Sequence, residues 1–110
     1  MKMIMIEAFV RPEKADFVLA NLQEQGYSAA TRVSVLGRGK QKGLKVKSVL
    51  YSELPKELII LVVDDQDEEK VISTIMKSAK SGNDGTYGDG KIFVTPVSTT
   101  YTISSGKAEL

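Results

Sequence analysis

The sequence predicts an α+β domain of the ferredoxin-like kind, β-α-β-β-α-β, with a four-stranded antiparallel sheet and two helices on one face. Three observations predict it. Two apolar runs, residues 2–10 and 57–63, have strand length and carry apolar side chains on both faces. Two stretches between them and the later strands repeat apolar residues at helical spacing. Two glycine-rich loops, one after the second strand and one after the second helix, break the pattern.

In the first run Ile4, Ile6, Ala8 and Val10 share one side, and Met3, Met5, Glu7 and Phe9 the other. Pro12 suits the first position of a helix over 12–25, where its missing N–H costs nothing. Ala15, Val18, Leu19 and Leu22 form the buried stripe, and Gly26 is the stop. A second strand is expected over 29–36 and a third over 57–63. Asp65 and Glu68 suggest a capping box for a second helix, with Val71, Ile72, Ile75, Met76 and Ala79 inward and Gly82 as its end. A fourth strand is expected from Lys91 to about Val94, since Pro96 ends a strand or marks an edge. Residues 104–110 are expected to be loose. Two helices cover only one face of such a sheet, so the other apolar face calls for self-association.

The 110 residues suffice for one domain, 1–110. A net charge of +1 gives no global attraction to nucleic acid or to membranes. The absence of cysteine and histidine removes thiolate chemistry, the commonest general base and the commonest metal ligand. The expectation is a protein that binds rather than catalyses. The run Met3–Val10 is interrupted by Glu7 and stops at Arg11, far short of the roughly 20 residues of a spanning helix. It reads as a buried strand of a cytoplasmic protein, with no membrane insertion.

The first loop, about 38–55, concentrates Arg38, Lys40, Lys42, Lys45 and Lys47 among Gly37, Gly39 and Gly43. Backbone N–H groups in such a turn can cradle an anion. It is not a Walker A loop, because Gln41 follows Lys40 and no helix is expected next. Nucleic acid would fit the charge, but only Tyr51 is at hand for stacking. The bland reading is a solvated basic hairpin. The second loop, about 81–90, ends in Gly88-Asp89-Gly90-Lys91 and leads into an apolar strand, so it is no P-loop either. Its acidic spacing is also wrong for calcium. The bland reading here is a helix-to-strand turn.

Together, Gly37-x-Gly39-x-Gln41-Lys42-Gly43, Leu54-Pro55-Lys56 and Gly88-Asp89-Gly90-Lys91-Ile92-Phe93-Val94 resemble the PII signal-transduction family over nearly the whole chain. The wording of the first block looks most like the Nif-associated branch, the NifI type, first of two paralogues. The resemblance implies a homotrimer, or a mixed assembly with a PII-like paralogue, that acts on the dinitrogenase component of nitrogenase. It implies adenine nucleotide (ATP, ADP or AMP), Mg²⁺ and 2-oxoglutarate as ligands. By the same carry-over, Thr31 and Val62 would line the base pocket. Gly37, Gly39, Lys40, Ser81, Gly88, Asp89, Gly90 and Lys91 would surround the phosphates. Gln41 would ligate Mg²⁺ and meet 2-oxoglutarate, and Lys56 would pair with a carboxylate of that ligand. The first loop would be the T-loop, docking through Lys42, Lys45, Lys47 and Tyr51, and the second the B-loop. The C-terminal tail, about 98–110, departs from the family: Thr102 and Ser104 stand where two arginines usually clamp phosphates. The B-loop is longer by Asp84-Gly85-Thr86 or its neighbours, and the T-loop is shorter, so modification of Tyr51 does not carry over.

The rival readings are a PII regulator of an ammonium transporter or biosynthetic enzyme, a nucleic-acid-binding ferredoxin-like domain, and a small enzyme using Lys91 or Asp89. Light scattering at micromolar concentration should give a multiple of the 12.0 kDa chain. A stable monomer would contradict burial of the open face between copies.

Overall fold

The computed structural model describes residues 2–38 and 53–110. Its elements are β1 (Met3–Val10), α1 (Pro12–Glu24), β2 (Thr31–Gly37), β3 (Leu54–Asp64), α2 (Glu68–Ala79) and β4 (Gly90–Val97). The strands form one antiparallel sheet in the order β2-β3-β1-β4. This is the predicted ferredoxin-like arrangement, with the two apolar runs as the central strands.

The alternation in β1 is strict. Ile4, Ile6, Ala8 and Val10 are buried, and the residues between them are half-buried. Their partners Ile59, Leu61 and Val63 on β3 complete the sheet side of the core. Ala15, Val18 and Leu22 of α1, with Val71, Ile75 and Ala79 of α2, form the other side. The predicted stripes thus face inward, except that Met76 is half exposed. Ser78 joins the core although it is polar. Its hydroxyl donates to the Thr74 carbonyl at 2.6 Å and accepts from Asn21 Nδ2 at 2.9 Å, which ties α2 to α1.

Several boundaries differ from the sequence reading. β3 begins at Leu54, and Pro55 lies inside it. Its pairing with β1 stops at Val10↔Glu57, so Pro55 has only β2 beside it and its missing N–H is tolerated. β4 runs on through Pro96 to Val97 because it is an edge strand. The cap before α2 is Asp64, which ends β3 in an extended conformation and accepts from the Gln66 N–H at 3.0 Å. A 3₁₀ turn at Asp65–Asp67 then leads into the helix, so Asp65 is not the capping residue. Gly26 has φ of 101°, which suits it to follow α1. The tail is not loose. Tyr101 bridges Ala108, and the Thr102 N–H donates to the Lys107 carbonyl at 2.9 Å, closing a small hairpin.

Glu57 is buried on the helix side of β3. It accepts from Arg32 Nε and Ser34 Oγ, both at 2.8 Å, and Arg32 also reaches Asp16 at 2.6 Å. The Arg32 and Ser34 bonds hold the Glu57 carboxyl below its usual range despite burial. This network fastens β2, otherwise an edge strand, to β3 and α1.

The other face of the sheet has no cover from within the described chain. The register places Met5, Phe9, Leu58, Ile60, Val62, Val33 and Phe93 there, and Phe9 and Phe93 meet edge to face at 6.0 Å. Ile6→Ala should lower stability by about 2–5 kcal/mol, as a cavity in a close-packed core does. Ser73→Ala on the exposed side of α2 should stay within about 0.5 kcal/mol. Denaturant unfolding of both variants checks this.

Candidate functional site

The end of the sheet where β1 runs into α1 gathers the polar side chains. Pro12 restricts Arg11 to extended backbone, and Arg11 is the N-terminal cap residue of α1, with φ −63° and ψ 142°. Its Nε donates to Asp89 Oδ1 at 3.0 Å, and its Nη2 donates to the Tyr87 carbonyl at 2.6 Å. The second oxygen of Asp89 accepts from the Ser81 N–H at 3.0 Å and the Thr86 N–H at 2.8 Å. One carboxylate therefore closes the loop between α2 and β4 and ties it to the start of α1. Partial burial by itself would raise the Asp89 carboxyl. The bonds from Ser81, Thr86 and Arg11 outweigh it and hold the group far below the ordinary carboxylate range.

Lys56 comes from β3 to the same place. Its ammonium donates to the Gly88 carbonyl. Burial lowers its basicity, and the positive charge of Arg11 lowers it further. An ammonium in this setting gains from an added anion. Gly90 permits the close approach that brings the loop onto β1. Its φ is 122°, and a Cβ there would lie 1.7 Å from the Phe9 carbonyl oxygen.

The predicted site residues fall into two groups, on the open face and at its rim, with Gly90 opposite the inward-facing Val10. Gly37, Lys56, Gly88, Gly90 and Lys91 lie toward the Arg11 end, and Gly37 borders the Lys56 stem. Thr31 and Val62 lie toward the other end. Six residues separate Lys56 from Val62 along β3, a distance on the order of 20 Å. Ser81 and Asp89 are joined to each other inside the loop rather than facing outward. Gly39, Lys40, Gln41, Lys42, Lys45, Lys47 and Tyr51 lie outside the described residues. Sequence reasoning missed Arg11. The signal available was a cation directly before a helix-starting proline, at the end of an apolar strand.

Among the described residues, one cleft on the helix side, of about 160 Å³, backs the loop between Ile75, Met76, Lys80 and Ile92 and is lined by the predicted residues Asp89, Gly90 and Lys91. A roomier one, about 290 Å³, lies between the helices beside Asn21, Lys70 and Ser78 and contains none of the predicted site residues. No group of three acidic side chains able to hold a metal ion occurs among the described residues. No helix among them is long and apolar enough to cross a membrane.

Fold and site together define a ferredoxin-like domain with a glycine-shaped, cation-flanked loop at one end of its sheet. The chain matches the family of Nitrogen regulatory protein P-II over residues 3–107. It is 50% identical over 101 residues to the nitrogen fixation nifHD region glnB-like protein 1 of Methanococcus maripaludis, covering 92% of this chain and 93% of that one. It is 45% identical over 105 residues to the corresponding protein of Methanothermococcus thermolithotrophicus, covering 96% and 97%. The structure of Arabidopsis thaliana PII bound to citrate is similar with a TM-score of 0.79 at 31% identity, over 98% of this chain and 86% of that chain. The chain belongs to the PII family of nitrogen-regulatory proteins, and its likeness to these relatives bears out the resemblance to the Nif-associated branch.

Two outcomes test the site. Gly90→Ala should lower the melting temperature, because the added methyl meets backbone and the backbone angle suits only glycine. A melting curve like that of the parent would contradict this. For Asp89 the folded carboxyl titrates below its unfolded value. Its stabilisation is therefore present above the unfolded value and lost as pH falls through the folded one. Carboxyl-carbon NMR should show Asp89 still ionised at about pH 3, and a midpoint near the ordinary value of 3.8 would contradict the loop geometry.

Proposed function

We propose that this protein is a trimeric sensor of 2-oxoglutarate and adenine nucleotide that controls nitrogenase through the segment between β2 and β3. Its family membership supports the reading, and the observation that carries it is the split of the site residues between two ends of the open face. Along the sheet Thr31 lies level with Ile60, about 13 Å from Lys56, and Val62 lies about 20 Å from it, so in this reading the two groups serve opposite ends of a ligand held between copies. Two copies packed through the open face bring one end of each together. The nucleotide cleft is then an interface between subunits. The apolar surface that needs cover and the incomplete site are satisfied by the same contact.

The donor set suits such ligands. Lys91 and Lys56 are cations for phosphate and carboxylate oxygens, and Gly90 lets the loop that presents them lie against β1. Thr102 and Ser104 supply no charge, so phosphate recognition rests on the lysines and loop backbone. Magnesium would be held by the Gln41 amide oxygen together with oxygens of the nucleotide and the 2-oxo acid, a hard donor set that suits it. When bound it neutralises the crowded anions. The protein acts by binding. Ligand shifts the basic segment between states, and one state docks to the partner. The names of the methanogen relatives refer to the nifHD region, which supports the dinitrogenase component as target and a second PII-like chain as co-subunit.

Calorimetry should show 2-oxoglutarate binding when Mg²⁺ and ATP are present and none without nucleotide, with ADP and AMP as comparisons. Gln41→Ala should abolish that binding and Lys56→Ala should weaken it at least about tenfold, as loss of a charge-assisted pair does. Unchanged binding in Gln41→Ala would show that the site is assigned wrongly.

A further inference from the structure

We propose that Arg11 is a positioning residue for the anion site: through Asp89 and the Tyr87 carbonyl it holds the loop over 81–90 in its binding shape, without touching the ligand. This rests on the functional reading above.

The geometry sets Arg11 apart from a surface ion pair. Both partners are largely covered, with side-chain exposures of 26% for Arg11 and 19% for Asp89. The Arg11 backbone is fixed by the following proline and by its carbonyl, which accepts from the Lys14 N–H at 3.0 Å. Its side chain makes two contacts at once, to a carboxylate and to a main-chain carbonyl two residues away. Asp89 relays the hold. Its other oxygen gathers the Ser81 and Thr86 N–H groups, which bracket residues 82–85. A longer loop costs more entropy to order, and this carboxylate is placed to offset that cost.

The consequence for ligands follows from peptide geometry. In a trans peptide the N–H points opposite to the carbonyl. Drawing the Tyr87 carbonyl onto Arg11 turns the Gly88 N–H away from the guanidinium. After burial, the Arg11 charge also disfavours the Lys56 ammonium, partly offset by Glu13 and Asp89, so an anion at Lys56 would be favoured there. A lysine at position 11 could meet Asp89 but would not span both acceptors with a rigid fork.

The test uses the full chain with Arg11→Gln, Arg11→Lys, Asp89→Asn and the Arg11→Gln/Asp89→Asn double variant. Hydrogen exchange at the Ser81 and Thr86 amides is read without ligand, and ATP affinity is read by calorimetry. Arg11→Gln and Asp89→Asn should each speed exchange at both amides and weaken ATP binding about tenfold, with the double variant no worse than either single one. Arg11→Lys should recover part of both losses. Weaker binding with unchanged exchange would make Arg11 a direct ligand contact and overturn the proposal. Unchanged exchange and unchanged affinity would overturn it too. If the parent binds no ATP, the functional reading fails, and the exchange response of Arg11→Gln then decides for or against the hold of Arg11 on the loop.

Discussion

Two central strands with apolar side chains on both faces, and helices enough for one, constrain everything else in this molecule. β1 and β3 supply Ile4, Ile6, Ala8, Ile59 and Leu61 to a core closed by α1 and α2. The same strands present Met5, Phe9, Leu58 and Ile60 to the side that no helix covers. An apolar face of that kind is stable in water only when something covers it. The site grows out of this constraint, because its candidate residues sit on that face or at its rim.

The polar groups at the Arg11 end show how a glycine-rich loop is held in one shape. Glycine at position 90 lets the loop lie against β1, Asp89 gathers its N–H groups, and Arg11 and Lys56 hold its carbonyls. The Arg32–Glu57 pair performs the matching task on the other side of the sheet, where β2 and β3 lead toward the basic segment. Adjacent residues of β3 thus serve two purposes. Lys56 meets the loop at the Gly88 carbonyl, and Glu57 joins β3 to β2 through Arg32 and Ser34.

The fold was legible because its signals are periodic. Alternation in β1 and stripes in both helices depend on local spacing and survive in the sequence. What escaped depends on long-range partners. Ser78 looked like an ordinary helix residue, and only its contact with Asn21 explains its burial. Glu57 looked like one more surface charge until Arg32 and Ser34 were seen beside it. For Pro96 the edge alternative holds, while β3 starts earlier than expected because it takes in a proline. The neighbour a proline lacks, or the edge it lies on, is a matter of topology. At the site, the glycine-rich blocks point to the loop and Lys56, whereas Arg11 meets its partner over 78 residues of separation, and its place before Pro12 does not by itself say what it holds.

The central claim is that one ligand site is completed by two copies of the chain. Co-refolding two inactive variants tests it most directly. One carries changes at Thr31 and Val62, and the other a change at Lys91, so each spoils one half of every cleft. If the clefts lie between subunits, the mixture should regain nucleotide binding in the fraction of clefts that pair two intact halves. If binding stays absent in mixed assemblies shown by mass to contain both chains, the site is not shared, and the account is wrong.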